Sequence, residues 1–242
     1  MASSPQRPTP LADPDALRDA VSRHYEDKLE TTGCCGTKAV PVDDAPEGVP
    51  SFGCGDPNAA AALAPGETVL DLGSGAGFDT LRAAEAVGPS GEVIGVDMTP
   101  AMLERARAAA AALGHQHVRY LEGTIEALPL PDASVDVVLS NCVVNLSSDV
   151  DAVLREAVRV LKPGGRVRIS DTFRHGAATA DAAADAASDL EGWCACEAGA
   201  HDPATFAAQA RAAGLEDVHV DAPPADVADG DVYGAVLHGT KR

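Results

Sequence analysis

The chain has 242 residues, with 37 acidic against 18 basic side chains and a net charge of −19. That balance argues against a nucleic-acid substrate and against binding to anionic membranes, since both require a basic surface. Hydrophobic residues make up 45% of the chain, enough for a sizeable core, yet no apolar run approaches the roughly 18 residues of a membrane-spanning helix.

The length suits one α/β domain with additions. Residues 1–12 are polar and proline-rich and lack the basic-then-apolar layout of a signal peptide, so a flexible tail on a cytoplasmic protein is expected. Asp13 to Leu29 reads as a helix, with Leu17, Val21, Tyr25 and Leu29 on one face, Asp13 as cap and Pro14 at its first position. Thr31 to Pro65 has no periodicity, and a stretch of that length is either functional or disordered. Together, residues 13–65 form an N-terminal helix and a cysteine-bearing loop.

Residues 66–242 alternate strand and helix. Strands are expected at about 67–72, 92–97, 117–121, 135–140 and 165–171, and helices at about 77–87, 99–113 and 149–161. Thr99 and Asp149 stand where helix caps belong. This pattern predicts an α/β fold, a mostly parallel sheet covered on both faces. Ala177 to Leu190 and Thr205 to Ala213 read as further helices inside an insertion at about 174–214. Leu215 to Val220 and Val232 to Thr240 alternate like two final strands, the last of them antiparallel.

The first strand runs through Val69-Leu70-Asp71-Leu72 into Gly73-Ser74-Gly75-Ala76-Gly77. Glycines let a backbone turn sharply and approach a ligand, so a nucleotide-type cofactor belongs across this strand end. Asp97 closes the second strand about twenty residues beyond the loop, where an acid accepts the hydroxyls of a ribose. A dinucleotide fingerprint places its third glycine one residue later. Asp71, just before the loop, would repel pyrophosphate but accept from a cationic amino-acid moiety.

Six cysteines occur, at 34, 35, 54, 142, 194 and 196. In a cytosolic chain they point to metal binding or catalysis rather than a permanent disulfide framework. Their spacing is not that of a zinc ribbon. Cys142 follows the fourth strand, Cys194 and Cys196 lie in the insertion, and Cys54 precedes the first strand, so thiolates from three segments can converge at one sheet edge. Cys142 by itself also suits a small buried apolar position. Thiolates select soft centres, and trivalent arsenic or antimony held by three sulfurs keeps a lone pair able to attack a methyl group without a general base. Zinc has no such lone pair.

Asp71-x-Gly73-x-Gly75-x-Gly77 followed by Gly95-Val96-Asp97 resembles the cofactor signature of class I S-adenosylmethionine methyltransferases, and Lys162-Pro163-Gly164-Gly165 resembles a later landmark of that fold. Phe52-Gly53-Cys54-Gly55, Gly123-Thr124-Ile125-Glu126-Ala127-Leu128-Pro129, Ser140-Asn141-Cys142-Val143-Val144-Asn145-Leu146 and Cys196-Glu197-Ala198-Gly199-Ala200 are similar to the arsenite methyltransferase family over about residues 30 to 215. The resemblance implies a Rossmann-like methyltransferase domain over 66–242 that methylates arsenite or methylarsenite in arsenic detoxification. It implies that Cys142 and Cys196 hold arsenic(III), with Cys54 a third thiol that later joins a disulfide to Cys34 or Cys35. Thioredoxin or glutathione would restore that dithiol. Asp71, Gly73, Ser74, Gly75 and Gly77 match cofactor contacts, as do Asp97, Met98, Thr124, Ile125, Glu126 and Asn141. In many methyltransferases a helix such as 13–29 lies over the cofactor.

Three features depart from the family pattern: the additional Cys194, His201 in place of a leucine, and an end just after the last strand where many members continue. Two alternatives remain open, a methyltransferase for a small organic acceptor and a non-catalytic thiol protein that sequesters metalloid. His24, His115, His117, His175, His219 and His238 show no ligand spacing, and Asp181, Asp185 and Asp189 read as a solvated helical face.

Only four lysines occur, at 28, 38, 162 and 241, and an acidic, lysine-poor surface suits a salt-rich cytosol. Self-repulsion at low ionic strength should be screened by salt, so the melting temperature is expected to rise between low and molar potassium chloride. A flat or falling curve would count against adaptation to salt.

Overall fold

Parallel strands need long crossovers, and this chain supplies helices for most of them. The structure is a computed structural model that describes residues 11, 13–30, 46, 49–176 and 189–242. Strands β1 (Thr68–Leu72), β2 (Glu92–Asp97), β3 (Val118–Glu122), β4 (Val135–Asn141), β5 (Leu161–Arg174), β6 (Leu215–Val220) and β7 (Val232–Lys241) form one sheet in the order β3-β2-β1-β4-β5-β7-β6. β7 runs antiparallel to both β5 and β6, and the pairs among β1 to β5 are parallel. The expected mostly parallel sheet with an antiparallel last strand is the one observed.

Helices α1 (Pro14–Glu30), α2 (Pro57–Ala61), α3 (Phe78–Val87), α4 (Pro100–Leu113), α5 (Val150–Val160), α6 (Leu190–Cys194) and α7 (Pro203–Ala213) accompany it. α5 buries Val150, Val153, Leu154, Ala157 and Val160, the spacing of a helix with one apolar stripe. That stripe packs with Phe206, Ala207 and Ala210 of α7 on Leu70, Ile94, Val138 and Ile169 of the sheet. On the opposite face, Ala83, Ala84 and Val87 of α3 meet Val69, Val93, Val137 and Leu139. Helices on both faces explain why β1 and β4 are nearly continuous apolar runs.

Local signals hold at two caps and differ from expectation at three places. The Asp13 carboxylate does accept from the Asp15 N–H at the start of α1, and Asp149 accepts from the Ala152 N–H. Thr99 sits at the cap of α4 but makes no side-chain cap bond; its hydroxyl lies 3.1 Å from Ser22 of α1 instead. Within the aperiodic stretch before β1, Asp56 caps the short α2 through the Ala59 N–H. The fifth strand is longer than expected, reaching Arg174 because β7 pairs along its second half. The helix expected from Ala177 lies outside the described residues until Asp189. No helix among the described residues is long and apolar enough to cross a membrane.

β1 is flanked by β2 on one side and β4 on the other, so the chain order reverses there. Ligands in open α/β sheets bind at that switch, beyond the carboxyl ends of the strands.

Candidate active site

At the end of β1 the Gly73 and Ser74 N–H groups both donate to the Val96 carbonyl, at 2.8 and 3.0 Å, which folds the loop back against β2. Gly73, Gly75 and Gly77 all have positive φ, the region that favours glycine. A Cβ on Gly73 would lie 2.3 Å from the Val143 side chain, and one on Gly77 would lie 2.5 Å from the Tyr120 hydroxyl. A Cβ on Gly75 would meet nothing within 4 Å, because this glycine opens on a cleft.

That cleft lies beyond the carboxyl ends of β1, β2 and β4, where a nucleoside-type ligand binds in open α/β sheets. Gly73, Gly75, Asp97, Met98, Thr124, Ile125, Glu126 and Asn141 all line it, as does Cys142. One oxygen of Asp97 accepts from the Gly75 N–H at 2.9 Å and the other from the Thr99 N–H at 2.8 Å. Burial pushes the Asp97 carboxyl above the usual range, and those backbone donors pull it back. Met98, Met102, Ile125 and Val143 supply apolar walls. An acid at the second strand end, a glycine without a covering atom and apolar walls together suit an adenosine group.

Asp71, Ser74 and Gly77 do not line the cleft. Asp71 is 2% exposed and accepts the Thr80 hydroxyl at 2.6 Å. Burial, then the Asp79 charge, holds its carboxyl well above the usual range. It therefore stands behind the glycine loop rather than on the cleft wall. Gly77 admits Tyr120, and Gly95 does likewise, since a Cβ there would fall 2.6 Å from the Tyr120 ring and 2.7 Å from Ser74 Oγ.

Helix α1 packs on the insertion and also borders the cleft. Leu17 and Val21 pack on Trp193 and Cys194, while Arg18, Val21 and Tyr25 line the cleft. The Tyr25 hydroxyl donates to the Cys194 carbonyl at 3.0 Å, and its ring meets Phe52 edge-on at 5.8 Å.

Asn141 ends β4 and ties three segments together. Its Oδ1 accepts from Cys54 N–H at 3.0 Å and Gly55 N–H at 3.3 Å; its Nδ2 donates to the Gly55 carbonyl and to Asp79. Asp79 also takes Asn58 Nδ2 at 2.9 Å, and Arg82 bridges Asp79 and Asp56. Burial raises the Asp79 carboxyl despite these donors. For Asp56, burial acts upward, but its hydrogen bonds, led by those from Arg82, hold it below the usual range. Arg82 and Asn58 carried no motif in the sequence, while Asp79 ends the glycine-loop run and Asp56 follows Phe52-Gly53-Cys54-Gly55; the i, i+3 spacing of Asp79 and Arg82 is the one local hint of their pairing.

The loop so anchored brings Cys54 onto Cys142, and the two are joined in a disulfide with Cα atoms 5.9 Å apart. The expected partner of Cys54 was Cys34 or Cys35; both lie outside the described residues, and in this structure Cys142 takes the bond because Asn141 fixes the loop beside it. Cys196 completes a buried cluster with Cys54 and Cys142, its Sγ donating to the Cys142 carbonyl at 3.4 Å. Cys194 packs elsewhere, with Leu17, Val21 and Trp193, which separates the two cysteines that spacing left interchangeable. Cys142 and Cys196 both hold positive φ, conformations costing roughly 1–3 kcal/mol each that persist where surroundings impose them. The surroundings are visible: Cys142 N–H donates to the Ser170 carbonyl, Trp193 Nε1 to the Leu146 carbonyl, and Cys196 N–H to the Trp193 carbonyl.

His201, the departure noted in the insertion, is 5% exposed and stacks on Phe206 at 4.5 Å. Its carbonyl accepts from Arg174 N–H, so it fastens the insertion to the end of β5. Asp171 is fully buried, accepts from the Asn145 and Thr172 N–H groups, and has an oxygen within 4.8 Å of the Cys54 and Cys142 sulfurs.

Residues 63–216 match the family model of a methyltransferase domain. The chain is 49% identical over 169 residues to an arsenite methyltransferase of Halobacterium salinarum, covering 70% of this chain and 42% of the relative. It is 41% identical over 178 residues to an arsenite methyltransferase of Aquipseudomonas alcaligenes, covering 65% and 51%. It thus spans about half the length of these curated relatives. Among solved structures it resembles the arsenic(III) S-adenosylmethionine methyltransferase of Chlamydomonas reinhardtii, with a TM-score of 0.67, 32% identity, and coverage of 96% of this chain and 75% of that one.

Removing the Asn141 side chain strips acceptors from Cys54 and Gly55 and a donor from Asp79. At roughly 1–3 kcal/mol for a buried group left unsatisfied, Asn141→Ala should cost about 2–4 kcal/mol in urea unfolding. It should also lower the yield of the Cys54–Cys142 disulfide, read by mass spectrometry after alkylation. An unchanged midpoint with an unchanged yield would mean that Asn141 is not the anchor.

Proposed function

This chain belongs to the arsenite S-adenosylmethionine methyltransferase family, a branch of the class I methyltransferases, and from that premise we propose that it methylates trivalent arsenic. The observation that carries the reading is the buried cluster of Cys54, Cys142 and Cys196, drawn from three distant segments, with Cys142 on the cleft wall. Asp97 and Gly75 would hold the ribose of S-adenosylmethionine, and Met98, Ile125 and Val143 would flank its base. When bound, that cofactor supplies an electrophilic methyl carbon on a sulfonium sulfur.

Thiolates select the soft arsenic centre. Cys142 and Cys196 hold arsenite or methylarsenite, and Cys54 supplies a third sulfur. Pyramidal coordination leaves the arsenic lone pair as nucleophile, so no side chain has to remove a proton from it. Methylation raises arsenic to the pentavalent state. Two thiolates closing one S–S bond release two electrons and return it to trivalent. Cys54 with Cys34 or Cys35 would be that dithiol, leaving Cys142 and Cys196 to hold the arsenic, and thioredoxin or glutathione would restore it. The setting is arsenic detoxification in the cytoplasm.

A small organic acceptor would need a general base and no thiols, and a pure metalloid binder would need no Asp97 and no glycine loop. Neither accounts for both features.

Asp97→Ala should weaken S-adenosylmethionine binding roughly 10- to 150-fold, since a hydrogen bond to a charged group is worth about 1.5–3 kcal/mol. Calorimetry showing unchanged affinity would remove Asp97 from the site.

A serine hydroxyl stays protonated and is a hard ligand. Cys142→Ser or Cys196→Ser should therefore abolish methylation of arsenite and of monomethylarsenite. Changing Cys34 and Cys35 together to Ser should stop or greatly slow arsenite methylation and spare part of the activity on monomethylarsenite. Cys194→Ser should be nearly silent. Chromatography of the methylarsenicals formed with each substrate checks all four, and full activity in Cys142→Ser would favour the organic acceptor.

A further inference from the structure

Away from the cleft, β6 and β7 bring together two histidines and an acid that lie 2 to 19 positions apart in sequence. The β6–β7 register shifts between Glu216 and His219, and Asp217 within that bulge has φ of +51°. A bulge re-aims the side chains beyond it. Past it, His219 stands opposite His238. The ladder then continues, with Asp221 N–H donating to the Val236 carbonyl at 3.0 Å. His219 and Asp221, two residues apart on a strand, therefore share one face with His238.

The donor atoms of the three side chains all lie within 4.8 Å of one another. The imidazole rings stack at 4.5 Å and 6°. His219 Nδ1 lies 3.3 Å from the Asp217 carbonyl, which can only accept, so Nδ1 carries the proton and Nε2 keeps its lone pair. A metal-binding imidazole is commonly oriented in this way, by a carbonyl on its other nitrogen. His238 Nε2 is buried and makes no hydrogen bond, although Asp221 Oδ1 is 3.2 Å away.

Arg168 faces His238 across the β5–β7 register, but its guanidinium is directed to the carbonyls of Ala60, Val167 and Gly239. Donors around a tetrahedral zinc are roughly 3.3 Å apart at bond lengths of about 2.0–2.1 Å, so the side chains need to close by at most about 1.5 Å. His219 and Asp221 are exposed, and the two rings have to turn out of their parallel stack to aim at one ion, because an imidazole lone pair lies in the ring plane. Two imidazole nitrogens and one carboxylate oxygen suit a borderline divalent ion better than magnesium or calcium.

We propose that His219, Asp221 and His238 form a binding site for a divalent transition-metal ion of the zinc type, clipping the edge strand β6 to β7. The site shares no residue with the thiol cluster, so it stands or falls independently of the arsenic chemistry.

Equilibrium dialysis of the full chain against zinc chloride tests it, comparing wild type with His219→Ala and Asp221→Ala. The six cysteines are the same in all three proteins, so zinc taken by thiols cancels in the difference. Wild type should hold one zinc per chain more than either variant. In nitrogen-15 ring spectra, the signals of His219 and His238 should shift together on zinc addition in the wild type, while both should stay put in Asp221→Ala and the His238 signal should stay put in His219→Ala. Equal zinc content in the three proteins, or ring shifts confined to other histidines, would overturn the proposal.

Discussion

A single amide, that of Asn141, joins the sheet to the loop that carries Cys54. Both its ends are used: the oxygen receives two backbone N–H groups from residues 54 and 55, and the nitrogen serves the Gly55 carbonyl and Asp79. Buried polar groups of this kind are satisfied as a set or not at all. A Cβ on Gly53 would lie 2.2 Å from the same amide, so the Phe-Gly-Cys-Gly run fits its surroundings only with glycine there. The reach of Cys54 toward Cys142 and the position of Phe52 on the cleft wall both follow from this contact.

The acids near the cleft have divided roles set by their surroundings. Asp97 faces the cleft with a backbone donor on each oxygen. Asp71 and Asp79 lie deeper, and their donors, Thr80 for one and Asn58 and Asn141 for the other, hold the start of α3 beneath the glycine loop. Burial comes first in raising the Asp71 and Asp79 carboxyls; the charges of Asp79 and Asp97 add to it at Asp71, and that of Asp56 adds to it at Asp79. Arg82, buried beside Asp79 and Asp56, offsets part of that charge.

The insertion between β5 and β6 is held at both of its described ends. Trp193 hydrogen-bonds the turn after Cys142 and packs under α1, and His201 stacks into the core beside Phe173 and Phe206. Cys196 sits between these fixed points. Three thiols thus gather because three separate anchors, Asn141, Trp193 and His201, fix the segments that bear them.

Periodicity and punctuation were enough for the sheet: the apolar runs of β1 and β4, the glycine loop between Leu72 and Phe78, and Asp97 about twenty residues on can be read without coordinates, because each is a local consequence of backbone geometry. The cysteines were visible as a class of ligand, since thiolate chemistry does not depend on fold. Their pairing was not. Whether Cys54 meets Cys142, and whether Cys194 or Cys196 joins them, depends on how a loop before β1 and an insertion after β5 dock, and no spacing encodes that. Asp71 and Thr99 differed for a related reason, as a hydroxyl or carboxylate takes the best partner within reach and only packing brings Thr80 or Ser22 there. His219 and His238 carried no sign in sequence at all. A bulge at Asp217 sets which face of the sheet His219 takes, and strand register, a property of two chain segments together, places it beside His238 of β7.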